Sequence, residues 1–587
     1  MSNAEQNKGL NFKLLKRILS YTQPYKQLFY GAVFFTLIIA SLAIVRPLLI
    51  SKALNEYVTN AKDFEGLNSI CLIILSLLFI EAFLQILNLR ITNLLGQNIV
   101  KDLRNQVYKH IIQLKNSYFD TTPVGTLVTR AISDIESLSD VFAQGFIVIV
   151  GDIVMLLIFV SVMFANNWVL TLLALSTIPL LFIATAVFKR GVKKTFTLVR
   201  NAVSALNTFT QEHITGMRLV QLFNREEQEL EKFKEINRQH RVANIKAIFY
   251  YSVFFPIVEI LSSVSIALII WFVGVKGNSY QIGLGDITFF IMMINMLFRP
   301  IRMLADRLNT LQMGIVSAER VFKVLDTNEK ITNEGTINFE GVKQTIEFKN
   351  VSFAYTKDHY VLNNISFSIK AGETIALVGS TGAGKSTVIN LFSRFYDFEN
   401  GEILIDGINI RQFDLISLRK NTGVVLQDVF MFNDTLLNNI TLSNPDIKFE
   451  DVVAATKQIG LYDYILSLPN GFDYQVTERG QGLSAGQRQL VAFIRAFVYQ
   501  PSIFILDEAT ATIDTQTEQL IQKATEKISE GRTSIIIAHR LSTIKHVDKI
   551  LVFDQGKIIE EGSIQELLNS DSKFKKLYEL NNKEEVI

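Results

Sequence analysis

A glycine-rich run in the second half of the chain has the residue types and spacing of a phosphate-binding loop. Residues 379–387 spell GSTGAGKST and fit the pattern G-x-x-x-x-G-K-[ST]. In this pattern the glycines let successive backbone N–H groups converge on phosphate oxygens, the lysine reaches the outer phosphates, and the next hydroxyl can ligate Mg²⁺. The sequence therefore predicts a nucleotide held by Gly379, Ser380, Thr381, Gly382, Ala383, Gly384, Lys385, Ser386 and Thr387.

Two carboxylates, Asp507 and Glu508, follow a second apolar run, Pro501–Leu506. A buried strand that ends in acids delivers them to the edge of an open α/β sheet, where nucleotides bind. We expect Asp507 to hold Mg²⁺ through water and Glu508 to polarise the attacking water. A strand that simply ends in solvated charges is the alternative, and the phosphate loop earlier in the chain disfavours it.

The elements around these residues must position them. Thr374–Val378 predicts a buried strand before the loop, and Val388–Phe392 predicts a helix after it, whose N-terminus adds its positive dipole end to the phosphate site. Leu483–Gln489 predicts a small-residue turn followed by a helix, which offers N–H groups and the Ser484 hydroxyl to an anion. This half is therefore predicted to be an α/β domain.

Six apolar runs in the first half are each long enough to cross a bilayer as a helix. They lie near residues 28–51, 69–92, 143–165, 168–188, 247–275 and 286–305. Buried helices of a soluble protein are the alternative, but six such runs in one half of a chain favour membrane spans. Because Lys and Arg are scarce in the presumed outer loops, we expect the N-terminus and the C-terminal half to face the cytoplasm. The membrane we expect is a bacterial inner membrane.

A chain of 587 residues is too long for one compact core. We expect an all-α transmembrane domain of six helices at 1–322, a linker at 323–345, and a cytosolic α/β P-loop NTPase domain at 346–587. The net charge of +2 gives no reason to propose a nucleic-acid partner. Cys71 is the only cysteine, which excludes disulfide frameworks and cysteine metal sites and predicts a small core residue.

The C-terminal half resembles the nucleotide-binding domain of an ABC transporter. Besides the phosphate loop and the acidic strand, the resemblance rests on Tyr355, VVLQD at 424–428, TERG at 477–480, LSAGQ at 483–487, Asp514 and IAHR at 537–540. It implies ATP and Mg²⁺ as cofactors, with Tyr355 stacked on adenine and with Ser386, Gln427 and Asp507 at the metal. It also implies Asp514 in the D-loop and two catalytic residues, Glu508 and a switch histidine, His539, at the γ-phosphate.

The family's geometry implies that each ATP site is shared between two nucleotide domains. The signature residues Ser484, Ala485, Gly486 and Gln487 of one copy would face ATP bound to the phosphate loop of another. The family usually has glycine where Ala485 stands, and the alanine methyl group crowds this approach and disfavours positive φ, although we expect hydrolysis to be retained. A second half-transporter is therefore required, with a homodimer favoured and a heterodimer left open.

The first half resembles the six-helix membrane domain of ABC exporters of the type IV arrangement. Residues 119–134 resemble the first intracellular extension (FDTTPVG at 119–125, then Thr129, Arg130 and Asp134), and residues 212–226 resemble the second. The segment Ala318–Arg320 before the linker fits the same pattern. The resemblance implies helices of about ten turns that carry short coupling helices to the nucleotide domain.

Polar residues inside the predicted spans mark a candidate substrate path. Their members recur at helical spacing and so share a face: Glu81, Gln85 and Asn88 in span 2, and Asn295, Arg299 and Arg302 in span 6. Because a charge facing lipid is costly, these stripes are expected to face a wet cavity or each other. Hydrogen bonding between helices, without substrate contact, is the alternative for each residue.

The function that follows is ATP-driven export of hydrophobic or amphiphilic compounds, of the multidrug efflux type, by alternating access. A lipid flippase would share every motif and is the main alternative. A peptide exporter, an importer built on the exporter scaffold, and a non-transporting protein regulated by ATP are further alternatives. The partners expected are membrane lipid, a hydrophobic small molecule or lipid as substrate, and the second half-transporter.

Overall fold

The structure is a computed structural model and describes residues 12–60, 63–277, 282–356, 359–398, 400–507, 514–538 and 544–584. The chain divides into two compact units. The first comprises Met1–Ile112 and Val124–Asn328, and the second comprises Gln113–Pro123 and Glu329–Ile587. The short segment 113–123, which the sequence predicts as part of the membrane domain, therefore packs as part of the C-terminal unit.

The first unit is built from helices. Those before the third predicted span are α1 Phe12–Ser20, α2 Lys26–Lys52, α3 Phe64–Ile111, α5 Val124–Thr129 and α6 Ile135–Asp140, with α4 Asn116–Thr121 in the segment that joins the second unit. The rest are α7 Ile147–Asn166, α8 Trp168–Leu175, α9 Ile178–Thr215, α10 Met217–Leu222, α11 Glu226–Lys276 and α12 Leu284–Leu325. Six stretches in the described part of the chain are long and apolar enough to cross a membrane, which confirms the six predicted spans.

Several of these helices are longer than a bilayer requires. The helix α3 has 48 residues, α9 has 38, and α11 has 51, whereas about 20 residues span the hydrocarbon core. The six-residue helix α10 lies between the ends of α9 and α11, and the equally short α4 follows the end of α3. Long helices joined by short ones are what the resemblance implies for the two intracellular extensions.

The fourth span is interrupted, although its apolar run predicts one helix. The helix α8 ends at Leu175 and α9 begins at Ile178, with Pro179 in its first turn. Pro179 has no N–H, and the first turn of a helix is where that N–H would lack a partner in any case, so a helix start fits the proline at this position. Ser265 of α11 supplies hydrogen bonds at this break. Its hydroxyl donates to the carbonyl of Ala174 at 3.1 Å and pairs with the Thr177 hydroxyl at 2.6 Å.

The prediction that Cys71 is a small core residue is wrong. Its side chain is exposed on α3, next to the exposed apolar residues Leu72 and Ile73. In a soluble domain an apolar position of this kind has to be packed to leave water. Lipid removes that requirement for a spanning helix, so apolar character does not predict burial here.

The second unit contains all twelve strands of the described chain. They are β1 Thr345–Ala354, β2 Tyr360–Lys370, β3 Thr374–Gly379, β4 Asn400–Ile405, β5 Ile408–Asn409, β6 Thr422–Val425, β7 Asp434–Thr435, β8 Gln475–Val476, β9 Ile503–Asp507, β10 Thr533–Ile537, β11 Lys549–Asp554 and β12 Lys557–Gly562. A six-stranded sheet has the order β12-β11-β3-β10-β9-β6 and is parallel except for β12. An antiparallel sheet has the order β2-β1-β4-β5, and β7 pairs with β8.

The helices of this unit cover the six-stranded sheet. They are α13 Lys385–Phe392, α14 Leu415–Lys420, α15 Leu436–Thr441, α16 Phe449–Gln458, α17 Tyr462–Ser467, α18 Ala485–Val498, α19 Thr515–Ser529, α20 Ile564–Asn569 and α21 Lys573–Glu584. Side chains of β3 alternate between two cores, because Ile375 and Leu377 pack with the antiparallel sheet and Ala376 packs on the side of α18. Since both faces are covered, the central strands are continuous apolar runs, as the sequence predicts.

Backbone hydrogen bonds fasten the segment 113–123 into the second unit. The N–H of Lys115 donates to the carbonyl of Glu329 at 2.9 Å, and the N–H of Ile331 donates to the carbonyl of Gln113 at 3.0 Å. The Leu114 side chain between them is buried. This segment is thus a structural part of the unit, although in sequence it lies inside the first half of the chain.

Candidate functional site

The phosphate-binding loop joins β3 to α13, as its sequence predicts. Gly379 has φ +154°, and a Cβ there would lie 2.2 Å from the carbonyl oxygen of Phe553. Gly384 has φ +103°, and a Cβ there would lie 2.8 Å from the carbonyl oxygen of Val361. Only glycine fits at these two positions, so the cradle depends on them to keep the backbone close to neighbouring strands and open to a ligand.

Lys385 is the first residue of α13, and its side chain is buried. Its ammonium group donates to the carbonyls of Gly379 at 2.5 Å and Ser380 at 3.0 Å, so it lies across the loop. Burial lowers the pKa of Lys385, and the nearby negative charge of Asp507 acts against that shift. A buried cation that donates to neutral carbonyls is well suited to an anionic ligand such as a phosphate.

Three oxygen-bearing residues predicted for Mg²⁺ belong to the loop and to strand ends at one sheet edge. Asp507 ends β9 and is paired with Ile537 of β10, which in turn is paired with Leu377 two residues before the loop. Gln427 follows the end of β6, the other neighbour of β9, and Ser386 lies exposed in the first turn of α13. Hydroxyl, amide and carboxylate oxygens are ligands that Mg²⁺ accepts, so the donor set fits the ion.

The two predicted catalytic residues, Glu508 and His539, lie outside the described residues. The strands that lead to them are β9 and β10, which are parallel neighbours with Asp507 opposite Ile537. The chain therefore leaves both strands at the same edge of the sheet, next to the phosphate loop. Their catalytic roles stay predictions.

Tyr355 follows β1, and both its ring and its hydroxyl contact neighbouring side chains. Its ring lies edge-to-face against Phe353 at 4.8 Å and against Tyr396 at 5.0 Å between centroids. Its hydroxyl accepts a hydrogen bond from Asn390 at 3.1 Å and contacts the hydroxyl of Thr387 at 3.3 Å. About 44% of Tyr355 remains exposed, so part of the residue is available for the adenine that the resemblance places on it.

The signature run begins α18, with Ser484 as its N-cap. The Ser484 hydroxyl accepts from the N–H of Gln487 at 3.2 Å, and the Gln487 side chain accepts from the N–H of Ser484 at 2.8 Å. Ala485 is the first helical residue and is not among the residues with positive φ. The glycine that the family usually has here is therefore not needed for backbone conformation. Gly486 is buried behind it.

Asp514, predicted for the D-loop, is the N-cap of α19. Its carboxylate accepts from the N–H of Thr517 at 2.9 Å, and this hydrogen bond lowers the pKa of Asp514. The carboxylate is thus ionised and occupied in holding its own helix. The role the sequence assigns to it at a shared site stays a prediction.

Sequence reasoning missed Arg495, which joins the signature helix to the segment after Gln427. Its guanidinium donates to the carbonyl of Asn439 at 2.9 Å and to that of Phe430 at 3.3 Å. Burial lowers the pKa of Arg495. The available signal was an arginine inside an otherwise apolar stretch of α18, FIRAF at 493–497.

The candidate path residues of span 2 face a partner helix. The Glu81 carboxylate lies 3.8 Å from the Arg46 guanidinium of α2 and accepts from Gln85 at 3.2 Å. Asn88 donates to the Thr36 hydroxyl of the same helix at 3.2 Å. Part of this stripe therefore serves contact between α2 and α3, as the structural alternative predicts.

The span 6 stripe is more exposed. Asn295 donates to the carbonyl of Ile291 in its own helix at 3.1 Å, and Arg299 is exposed. Arg302 forms an ion pair with Glu259 of α11 at 3.2 Å. This pair stands beside an open cleft of about 760 Å³, whose other lining residues are Phe255, Pro256, Ile260, Ser263, Val264 and Ala267.

Comparison with known families gives two matches along the chain. Residues 29–301 match the family described as ABC transporter transmembrane region, and residues 362–511 match the family described as ABC transporter. Both matches fall within the two units described above, and together they cover most of the chain.

Similar proteins extend over nearly the whole chain. An uncharacterised ABC transporter ATP-binding protein of Bacillus subtilis, YknV, is 36% identical over 96% of this chain and 93% of its own. An ATP-dependent lipid A-core flippase of Syntrophus aciditrophicus is 34% identical over 98% and 95%, and a probable multidrug resistance ABC transporter ATP-binding/permease protein of B. subtilis, YheH, is 35% identical over 83% and 72%. The solved structure of a bacterial Atm1-family ABC exporter with ATP bound is 27% identical, with a TM-score of 0.77 over 94% of this chain and 98% of that one.

Proposed function

The chain belongs to the ABC transporter family, as an exporter-type chain in which a transmembrane region and an ATP-binding domain are fused, and from that premise we propose that it expels hydrophobic or amphiphilic compounds of the multidrug type by alternating access. It is an ABC-type ATPase and an integral membrane protein. We place it in a bacterial inner membrane with the N-terminus and the ATPase domain in the cytoplasm.

The open cleft of the first unit is the observation that supports a hydrophobic or amphiphilic substrate. Its wall is apolar, with Phe255, Ile260 and Val264, and the Glu259–Arg302 ion pair stands at its side. An apolar surface beside a few convergent polar groups is typical of ligand sites, and a volume of about 760 Å³ lies in the range for drug-sized molecules. An apolar body with a polar head group would therefore find both of its parts matched here.

At the nucleotide site, we assign phosphate binding to the 379–387 loop and adenine stacking to Tyr355. Mg²⁺, when bound, would neutralise charge that develops on the transferred phosphoryl group, and Ser386, Gln427 and Asp507 are the residues we assign to it. Glu508 orients or deprotonates the attacking water, and His539 contacts the γ-phosphate. Closure of two such domains on ATP turns the cavity outward, and hydrolysis resets it.

The second copy that closes each site is proposed to be the same chain. Phosphate loop, Glu508, His539 and the Ser484–Gln487 signature all occur on one polypeptide, so two identical chains supply two complete sites. Mass measurement of the intact complex in detergent tests this proposal. A mass of twice the chain supports it, and co-purification of a related but different half-transporter in a one-to-one complex would replace it with the heterodimer.

A lipid flippase is the second candidate, because the relative from S. aciditrophicus with that name matches 98% of this chain. The two candidates differ in the molecule that drives turnover. Purified protein in liposomes should therefore be assayed for ATPase stimulation and for transport against a panel of amphiphilic drugs and of labelled lipids. Stimulation and movement of drugs support efflux, whereas a response to lipids alone supports the flippase.

A variant that fills the cleft makes this test specific. Ile260→Trp places a large ring in the cleft and should lower compound-stimulated turnover several-fold while basal turnover stays within about twofold. Ile73→Trp on α3 is the matched control, because Ile73 is exposed and does not line the cleft. Equal responses of the two variants would remove the cleft from the substrate path.

A further inference from the structure

Tyr355 is held in a cluster of three aromatic rings. Phe353 and Tyr396 each meet its ring edge-to-face, at interplanar angles of 86° and 89°, and they lie 5.9 Å from each other. In this geometry the positive edge of one ring faces the negative face of another, so the orientation of each ring depends on its neighbours. A shift of Tyr396 would therefore change the pose of Tyr355.

Tyr396 is bonded at its other end to the segment 113–123. Its hydroxyl donates to the Asp120 carboxylate at 2.6 Å, and burial, together with this hydrogen bond, raises the pKa of Tyr396. The phenol is therefore protonated throughout the physiological range and remains a donor. A short hydrogen bond to a carboxylate belongs to the strong class of such bonds.

The next residue makes a second contact to the same segment. Asp397 accepts from the Lys115 ammonium group at 2.6 Å. Tyr396 and Asp397 thus bind two residues of the segment, Asp120 within α4 and Lys115 just before its start. A movement of the segment along its own axis would have to break both contacts or carry Tyr396 with it.

The chain enters and leaves this segment through the first unit. The long helix α3, which contains span 2, ends at Ile111, two residues before the segment begins, and α5 begins at Val124, directly after its last residue. A displacement of span 2 can consequently be passed to Asp120 along the chain that joins Ile111 to α4. From there the hydrogen bond to Tyr396 and the ring contact to Tyr355 complete the connection.

We infer that Tyr396 is a positioning residue that makes the pose of the adenine-stacking ring depend on the position of the 113–123 segment. ATP binding and helix movement are then linked through Asp120, Tyr396 and Tyr355. The inference rests on the proposed adenine-stacking role of Tyr355. It goes beyond that role, because it assigns transmission to a side chain with no motif role of its own.

The test separates ring from hydroxyl. Tyr396→Phe keeps the ring contact and loses the bond to Asp120, so KM for ATP should stay within about twofold while substrate stimulation of turnover falls several-fold. Tyr396→Leu also loses the ring and should raise KM for ATP several-fold in addition. A purely structural role would instead lower stability and basal turnover together in both variants.

A double-variant cycle and a matched control complete the experiment. Asp120→Ala removes the acceptor and should lose stimulation as Tyr396→Phe does, and the pair combined should be no worse than either alone. Tyr499→Phe is the control, because it removes a hydroxyl that donates to the Thr441 carbonyl at 2.7 Å in the same unit, away from the cluster. It should leave both KM and stimulation unchanged.

Each outcome has a distinct meaning. Full stimulation in Tyr396→Phe, or effects of Tyr396→Phe and Asp120→Ala that simply add, would overturn the inference. Failure of the proposed function itself looks different, since Tyr355→Ala would then leave KM for ATP unchanged or the wild-type protein would show no stimulated turnover. The assays are run on the full-length protein in liposomes, with a compound that stimulates the wild type.

Discussion

Apolar side chains of the central strands are buried in the second unit, whereas many of those on the long helices of the first unit are exposed. Every residue of β9 and β10 is buried, whereas Phe79 and Phe83 of α3 are 70% and 60% exposed. In water a parallel sheet of continuously apolar strands must be covered on both faces, but in a bilayer the lipid is itself the apolar phase. An apolar residue thus predicts a buried side chain in the second unit, but in the first unit it predicts only that its helix lies in the membrane.

The placement of polar groups also differs between the two units. In the nucleotide domain they are gathered at one sheet edge, where Lys385, Asp507 and Gln427 come from separate elements to one place. Among the membrane helices some of them form ion pairs between helices, such as Arg46 with Glu81 and Glu259 with Arg302. The residues proposed for chemistry therefore lie in the second unit, whereas these charges of the first unit connect helices.

The largest expected effect tests whether chemistry is confined to the nucleotide domain. Glu508→Gln removes the proposed base and should lower ATP turnover by roughly 100-fold or more while ATP binding persists. Steady-state ATPase assays and equilibrium binding of labelled ATP measure the two quantities. Glu530→Gln is the control and should keep wild-type turnover, because Glu530 is a surface carboxylate in an exposed pair with Lys527. Undiminished turnover in Glu508→Gln would refute the assignment.

An intermediate effect is expected at Glu81, a charged residue among the helices of the first unit. Glu81→Gln leaves the Arg46 cation without its partner, so transport should fall several-fold while basal ATPase changes by less than about twofold. Liposome transport and ATPase assays on one preparation measure both. Equal loss of both activities would favour a purely structural role for this carboxylate.

The double variant Arg46→Gln, Glu81→Gln tests whether Glu81 contributes to transport or only to the contact between α2 and α3. Removing both charges restores electrical balance between α2 and α3, so thermal stability should recover. Recovery of stability without recovery of transport places Glu81 on the substrate path. Recovery of both assigns it to the helix pair alone. Glu56→Gln, which breaks an exposed pair with Lys52, is the matched control and should have little effect.

The smallest effect is expected at Ala485. Because α18 starts there without positive φ, Ala485→Gly restores the usual family residue without relieving any backbone strain. Turnover should change by less than about threefold, and the free energy of unfolding should fall by up to about 1 kcal/mol, since glycine is less favourable in a helix. ATPase assays and thermal unfolding check these values. A tenfold gain in turnover would mean that the methyl group obstructs the shared site.

The nucleotide domain was predictable because its function lies in local backbone patterns. The loop 379–387 dictates its own turn, and the strands before the loop and before Asp507 are short apolar runs, so β3, α13 and β9 follow from the sequence. Ser484 with Gln487 three residues later is similarly a capping pattern that predicts the start of α18. The roles at Glu508 and His539 stay predictions, because the strands fix only the edge of the sheet from which those residues leave.

The membrane half was predictable in outline and not in detail. Hydropathy gives six spans, but it does not tell which face of a helix meets lipid, and the prediction for Cys71 failed for that reason. The break before Pro179 and its repair by Ser265 depend on contacts between distant helices. Arg495 and Tyr396 were missed in the second unit for the same physical reason, since their partners lie far away along the chain.

The placement of residues 113–123 sets a rule for recombining such chains. A chimera joined at a single point in the linker would import a nucleotide domain without the segment that donates Asp120 and Lys115 to it. Tyr396 and Asp397 would then meet whatever residues the host provides at those positions. Exchange of the domain therefore needs two grafts from one parent, the C-terminal half and the short segment, and relatives that differ at either place should diverge at both together.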